Sequence, residues 1–378
     1  MMESRLWNTR DVSVSRCATS PRGIVSLEGA SRNEEWDAFV ARTPGGDLVQ
    51  TTMWAATKQR LGLETDLVLV RNTAGSCVAG GLLVVKRLRA GISVAYVARG
   101  PVADRSSPWA STLAVSSIVD RARALGVSYL IVQPPEGGEQ IDQALLRRGF
   151  QAGAPQVAPG ATIRLDLTQS DEQLLLGMSE MRRRNIRRSG REDVDISISS
   201  DVELFHRLHT ATAVRQGFQP LSLEYLGHQW TELAESGHLM ILLARHKERP
   251  VAGLWLTSFN GIVTFRLAGW DASVPSPKHV NEALHWSAIQ RARRAGARTY
   301  DLGGFDREIA ERLQRVESLP DDFTRSHSFF KLGFGRPPIT FPEPRSLIFN
   351  RLVRLAVSKT GLLAGRRGLR LADRFRNG

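Results

Sequence analysis

Stretches with helical periodicity and short runs with strand-like alternation follow one another in two similar series along the chain. The first series opens with helices predicted over residues 31–42 and 52–61, then three strand-like runs at 67–70, 78–86 and 92–98. Residues 108–125 read as a helix stopped by Gly126, residues 127–132 as a short β-branched strand, and "QPPEGG" as a loop. A helix over 139–148 and a strand over 161–167 complete the series.

The second series follows the same plan. Residues 168–191 are predicted as one helix, 194–198 as a strand, and 201–216 and 222–235 as helices. Three strands come next, "HLMILLARH", "PVAGLWLTSFN" and "GIVTFRLAGW", with Asn260 and Gly261 supplying hairpin turn chemistry between the last two. A helix over 279–295 is closed by Gly296, and "ARTYDLGG" is a strand ending in a glycine turn. Each series is an antiparallel meander followed by a helix and a further strand, which predicts two tandem α+β units with mixed, largely antiparallel sheets. The boundaries expected are a poorly ordered leader over 1–23, units over 24–167 and 168–342, and a tail over 343–378.

Composition adds a sign. The 378 residues carry a formal charge of +13, so an anionic partner is expected, without distinguishing nucleic acid, phosphosugar and lipid headgroup. Cys17 and Cys77 show no pairing or metal-ligand pattern. His206 and His209 are three apart on a predicted helix but lack a third ligand, and no metal is expected. His279, His285 and His327 assemble into no Ser/His/Asp arrangement by spacing, and neither a P-loop nor Gly-x-Gly-x-x-Gly is present. No apolar run approaches the roughly 18 to 20 residues of a membrane span.

The densest chemical signal is "MRRRNIRRSGRE", residues 181–192, with six arginines in twelve positions. On a helix Arg184, Arg187, Arg188 and Arg191 share one face, while Met178, Met181 and Ile186 turn elsewhere. Such a face is a solvated surface, a nucleic-acid arm or a cradle for a phosphorylated substrate, since guanidinium groups grip phosphate oxygens in pairs.

Ordered motifs supply a frame. "EWDAFV", "GGDLVQTTMWAATKQRLG" and "AYVARGPVAD", then "MRRRNIRRSGREDVDI", "HWSAIQRARRAGARTYDLGG" and "FFKLGFG", together resemble the Fem-type aminoacyl transferases over roughly residues 31 to 342. The resemblance implies two fused GNAT-like domains that move an amino acid from aminoacyl-tRNA to an amine of a peptidoglycan or other cell-envelope precursor. It implies a diphosphate contact for Lys58, which otherwise reads as a surface lysine, and makes Arg184, Arg187 and Arg188 further candidates for the phosphorylated substrate. Tyr96, Arg99 and Gly100 match a segment lining the acceptor cleft, or else serve strand packing and a turn. Gln50 and Trp54 read as packing residues that orient the loop. Asp301 caps its turn or contacts substrate.

The same resemblance implies that Lys331 stabilises the oxyanion of a tetrahedral intermediate and that the Phe330 carbonyl orients the attacking amine. The alternative for Lys331 is a strand residue snorkelling past aromatic neighbours. An aminoacyl ester is already activated, so no cofactor, metal or covalent enzyme intermediate is expected, and no general base is assigned. One departure concerns the donor. The stretch between the helix at 222–235 and the strand at His238 is too short for the long helical hairpin of some family members.

The runner-up reading is therefore an acyl-CoA-dependent N-acyltransferase acting on a polysaccharide or sugar nucleotide, although a phosphate loop of the usual acetyl-CoA type is not found. After "PPITFPEPRS", residues 346–376 set eight basic residues against Asp373, interleaved with leucines at helical spacing. A basic amphipathic tail of this kind predicts contact with an anionic membrane and suits a lipid-linked acceptor, with a tRNA contact or simple docking as alternatives. The expected location is cytoplasmic, at the inner face of the cell membrane.

Overall fold

The computed structural model describes residues 15–20, 23–29, 32–88, 91–275, 278–351 and 353–354. The basic tail expected over 346–376 lies outside the described residues beyond Arg354. Of the segment expected as a leader, Ser15–Ser20 forms a strand, β1, antiparallel to β2 (Gly23–Gly29).

In the first unit α1 (Glu34–Arg42) and α2 (Thr52–Gln59) precede a meander of β3 (Glu64–Arg71), β4 (Cys77–Arg87) and β5 (Ser93–Ala98). The short β6 (Val102–Ala103), α3 (Pro108–Ala124), β7 (Tyr129–Gln133) and α4 (Glu139–Arg147) follow. Asn33 and Thr51 start the first two helices by accepting the amide hydrogens of Trp36 and Trp54. Between β5 and β7 the pairing is parallel, as a helix crossover requires.

After β8 (Ala161–Thr162) and β9 (Arg164–Asp166) come α5 (Asp171–Gly177), α6 (Glu180–Ser189), β10 (Val194–Ser199), α7 (Val202–Gln216) and α8 (Leu223–Leu233). The meander β11 (Leu239–His246), β12 (Arg249–Phe259) and β13 (Ile262–Trp270) leads through α9 (Val280–Arg294) to β14 (Thr299–Asp301), again parallel to its neighbour. Positive φ at Asn260 and Gly261 makes the β12–β13 turn that the sequence predicts. Then come α10 (Arg307–Gln314), α11 (His327–Leu332), β15 (Ile339–Thr340) and β16 (Arg345–Ile348). The fold is mixed α+β in two tandem units.

Two features were hidden from the one-dimensional pattern. First, the units exchange their last strands. β9, which precedes the second unit, pairs with β14 in the second sheet, whereas β16 at the other end pairs with β7 in the first. The crossing segments meet as the β8–β15 pair. The single strand expected over 161–167 is thus two short strands in different sheets, and residues 345–348 of the expected tail belong to the first sheet.

Second, the single helix expected over 168–191 is broken. Met178 and Ser179 are extended, and the Ser179 hydroxyl starts α6 by accepting from the Arg182 amide. The break is where the chain docks on the turn after α11, with the Ser179 amide donating to the Gly333 carbonyl at 2.9 Å. Gly335 has φ +89°, and a Cβ there would lie 1.5 Å from the Gly177 carbonyl oxygen, so the close crossing depends on glycine.

One apolar cluster joins the units. It runs from Trp36, Met53 and Trp54 of the first to Phe205, Tyr225, Leu226 and Trp255 of the second. This shared core packs the two units against each other beside the cleft.

Candidate active site

The cleft is a cavity of about 390 Å³ bounded by both units. Its walls bring together Lys58, Tyr96, Arg99 and Asp301, which lie far apart in sequence, and add Arg164, Arg266, Tyr225 and Phe341. Sequence reasoning missed those four. Arg266 carried one usable signal, a charge inside an otherwise apolar strand; the other three become visible only when the units are packed.

Gln50 shapes the floor. It is fully buried, donates to the Ala98 carbonyl at 2.7 Å and accepts the Leu82 amide at 2.9 Å. Its side-chain amide thereby replaces a missing rung between β4 and β5. Trp54 is buried on the wall and offers its face to Lys58 at 5.5 Å and to Arg266 at 5.2 Å.

Lys58 is buried, not a surface lysine. Its Nζ donates to the Tyr225 hydroxyl at 3.0 Å and lies 4.7 Å from that ring, so one unit supplies the cation and the other its aromatic seat. Burial opposes the ammonium, but Tyr225 and Tyr96 outweigh it and hold its pKa above the ordinary value. Tyr96 is itself buried, which raises its phenol pKa. Both groups keep their neutral-pH forms.

Asp301 ends β14 and accepts the Gly303 amide at 2.8 Å, the Thr162 hydroxyl at 2.5 Å and Arg164 Nε at 2.8 Å. Capping the turn and lining the cavity are therefore roles of one carboxylate. Gly303 has φ +68°, and a Cβ there would meet the Phe265 carbonyl oxygen at 2.1 Å. Only glycine lets the turn close against β13, and that closure brings the Gly304 carbonyl to Lys331.

Phe330 and Lys331 sit on a short helix, α11, rather than on the strand weighed as an alternative. Ser326 caps it by accepting the Phe329 amide. Lys331 Nζ donates to the Gly304 carbonyl at 2.5 Å and stands 5.3 Å from the Phe265 ring. Gly304 and Phe265 both line the cavity, so the ammonium is one group behind its wall. Burial lowers its pKa to about 8, against the opposing pull of Asp301. Near neutrality it remains a cation, and at slightly higher pH it becomes an amine.

Behind Lys331, His285 is enclosed by Phe265, Phe330, Phe334 and Tyr300, with its Nδ1 3.0 Å from the Tyr300 hydroxyl. Burial, with the charges of Lys331 and Arg182, pushes its pKa down to about 3. It is a neutral packing group.

The arginine run divides. Arg184, Arg187 and Arg188 are exposed on α6 and do not line the cavity. The expected cradle is not assembled there, because the helix turns Arg182, Ile186 and Ser189 inward instead. Arg182 is almost fully buried; it pairs with Glu282 at 2.6 Å, donates to the Phe330 carbonyl at 2.8 Å and covers the Phe330 ring at 4.0 Å. The carbonyl expected to orient an attacking amine is thus already engaged by an arginine. Arg182 acts as a positioning residue for α11. Nothing in the run marked it out, since its partner lies 100 residues away.

A sequence profile described as the FemAB family matches residues 32–144, and one described as an acetyltransferase (GNAT) domain matches residues 179–314. A solved structure titled "Crystal structure of FemX" superposes with a TM-score of 0.75 at 18% identity, covering 88% of this chain and 100% of that one. The chain is similar to the FemAB family in its first unit and to the GNAT acetyltransferases in its second, and it shares the fold of FemX. Among curated relatives, a lipid II:glycine glycyltransferase of Staphylococcus haemolyticus is 28% identical over 58% of this chain, and one of Staphylococcus epidermidis 25% identical over 58%. The match spans about half of those relatives' length, 55% and 56%. The two profiles fall on the two units separately, and the cavity lies between them. Among the described residues no cluster of His, Cys, Asp and Glu could hold a metal, and no helix is long and apolar enough to cross a membrane.

Proposed function

We propose that this chain is an aminoacyltransferase that moves an aminoacyl group from aminoacyl-tRNA to an amine of a peptidoglycan or other cell-envelope precursor. The observation that carries the reading is the Lys331 ammonium, buried one group behind the wall of the interdomain cavity and held there by α11. The similarity to the FemAB family and the names of the relatives support the reaction class.

In the reaction the acceptor amine attacks the ester carbonyl, the C–N bond forms, and charge gathers on the carbonyl oxygen. Lys331, shifting from the Gly304 carbonyl, meets that charge in a site of low dielectric. The intermediate collapses by breaking the bond to the ribose oxygen, which leaves as a hydroxyl once it takes the proton given up by the amine. Lys58, Tyr96, Arg99 and Asp301 bind the acceptor in the cavity. Arg184, Arg187 and Arg188, exposed outside it, suit the phosphate backbone of the polyanionic donor. A lipid-linked acceptor puts the enzyme at the inner face of the cell membrane.

The test is a transfer assay read by mass spectrometry, with a panel of aminoacyl-tRNAs and acetyl-CoA offered against a UDP-linked muropeptide and Lys331→Met as the control. Mass gain from an aminoacyl-tRNA, lost in the variant, supports the reading. Gain from acetyl-CoA alone transfers it to an acyl-CoA-dependent N-acyltransferase.

A further inference from the structure

Arg99 is the cation of the cavity whose burial is least compensated. It is 6% exposed, and φ of +54° places a non-glycine residue in the left-handed region. Its guanidinium lies 3.6 Å from the centre of the Phe341 ring, and Nη2 donates to the Pro159 carbonyl at 2.5 Å. Among the described residues Nη1 has no hydrogen-bond partner, and Arg99 forms no ion pair.

The nearby carboxylates are committed elsewhere. Asp301 and Glu136 both hold Arg164, and Asp47 caps the turn at Leu48–Gln50 by accepting the Val49 amide. Over the whole lining four cations, Lys58, Arg99, Arg164 and Arg266, face three carboxylates, Asp47, Glu136 and Asp301. A buried guanidinium with an unbonded nitrogen, supported only by the longer-range pull of Asp47 and Asp301 and by no ion pair of its own, is expensive to maintain. Burial lowers its pKa to about 10, which still leaves it charged at neutrality.

We propose that Arg99, laid flat against Phe341, is the receptor for one oxyanion of the molecule bound in the cavity, a carboxylate or a phosphoryl group. This rests on the reading that the cavity is the acceptor cleft, and it assigns that acceptor a negatively charged group beside Arg99, separate from whatever Lys58 contacts. The ring of Phe341 fixes the plane of the guanidinium; Nη1 is unpartnered but covered, so a small shift of the side chain toward the cavity is what turns Nη1 and the second N–H of Nη2 into a fork for two oxygens. Arg164 has its charge already met by Asp301 and Glu136 and is the weaker receptor.

The test is calorimetric titration of the full chain with two probes, UDP and N-acetyl-dialanine, the latter with its C-terminal amide as control. Expected is binding of at least one probe to the wild type, weakened at least tenfold in Arg99→Gln. Loss of UDP binding identifies a phosphoryl group. Loss of dialanine binding, with no binding of the amide, identifies a carboxylate. A folded Arg99→Gln that binds both probes like the wild type overturns the proposal, as does a wild type that binds neither. If Arg99→Gln does not fold, Phe341→Leu serves instead: it leaves the charge, removes the platform and is expected to weaken binding several-fold, while unchanged binding counts against the site. Binding through Arg99 without aminoacyl transfer would sink the proposed activity and leave this site standing. Transfer with binding indifferent to Arg99 would do the reverse.

Discussion

Replacing Lys331 by methionine removes a charge that the fold holds against desolvation, so the variant is expected to gain stability at the position where it loses chemistry. The fall in the Lys331 pKa from 10.5 to about 8 corresponds to about 3 kcal/mol of unfavourable burial below pH 8. Methionine is unbranched like lysine, one heavy atom shorter, and places an apolar end beside the Phe265 ring. Its loss of the hydrogen bond to Gly304 costs little, because Gly304 is exposed and its carbonyl can take water. Between about pH 8 and 10.5 the unfolded chain binds more protons than the folded one, so wild-type stability rises with pH and the gap to the variant closes. Urea unfolding at pH 7 and at pH 10 measures both numbers. An expected gain of about 3 kcal/mol at pH 7 that shrinks toward zero at pH 10 fits the reasoning. A variant less stable than wild type at pH 7, or a gap indifferent to pH, refutes it. Wild-type transfer is likewise expected to fall as pH rises through about 8, where the ammonium is lost.

Two other perturbations probe the arginine run. Arg182→Met leaves Glu282 buried without its cation and is expected to cost about 3 to 5 kcal/mol in urea unfolding; adding Glu282→Gln should recover part of that loss, and a pair of additive effects would show that the ion pair is not what positions α11. Joint replacement of Arg184, Arg187 and Arg188 by alanine is expected to change stability by less than about 0.5 kcal/mol. It should also weaken aminoacyl-tRNA binding and flatten its salt dependence. Undiminished binding across a salt series would remove these arginines from the donor site.

The sequence by itself determined the two meanders, the helices around them and their order, but not the strands at 15–29, the helices over 307–314 and 327–332, or the last strand. Local periodicity marks both meanders, Asn260–Gly261 marks the hairpin turn, and Gly126 and Gly296 mark the helix stops, because the forces that set these features act within a few residues. It also held the motifs that carry the Fem-type resemblance and point to Lys58, Arg99, Asp301 and Lys331. The exchange of β9 and β16 was not legible, since either strand could satisfy an edge of either sheet and only the packing of both units selects one. Nor was the break at Met178–Ser179, which a Gly333–Gly335 turn more than 150 residues downstream imposes by contact. The arginine run shows the division most clearly. Spacing assigned a common face to Arg184, Arg187 and Arg188, but which face meets solvent depended on Glu282 and the Phe330 carbonyl waiting for Arg182 in the interior. Burial is a property of the assembled chain, and the same residue type is solvated surface or interior strut according to the partner that the fold supplies.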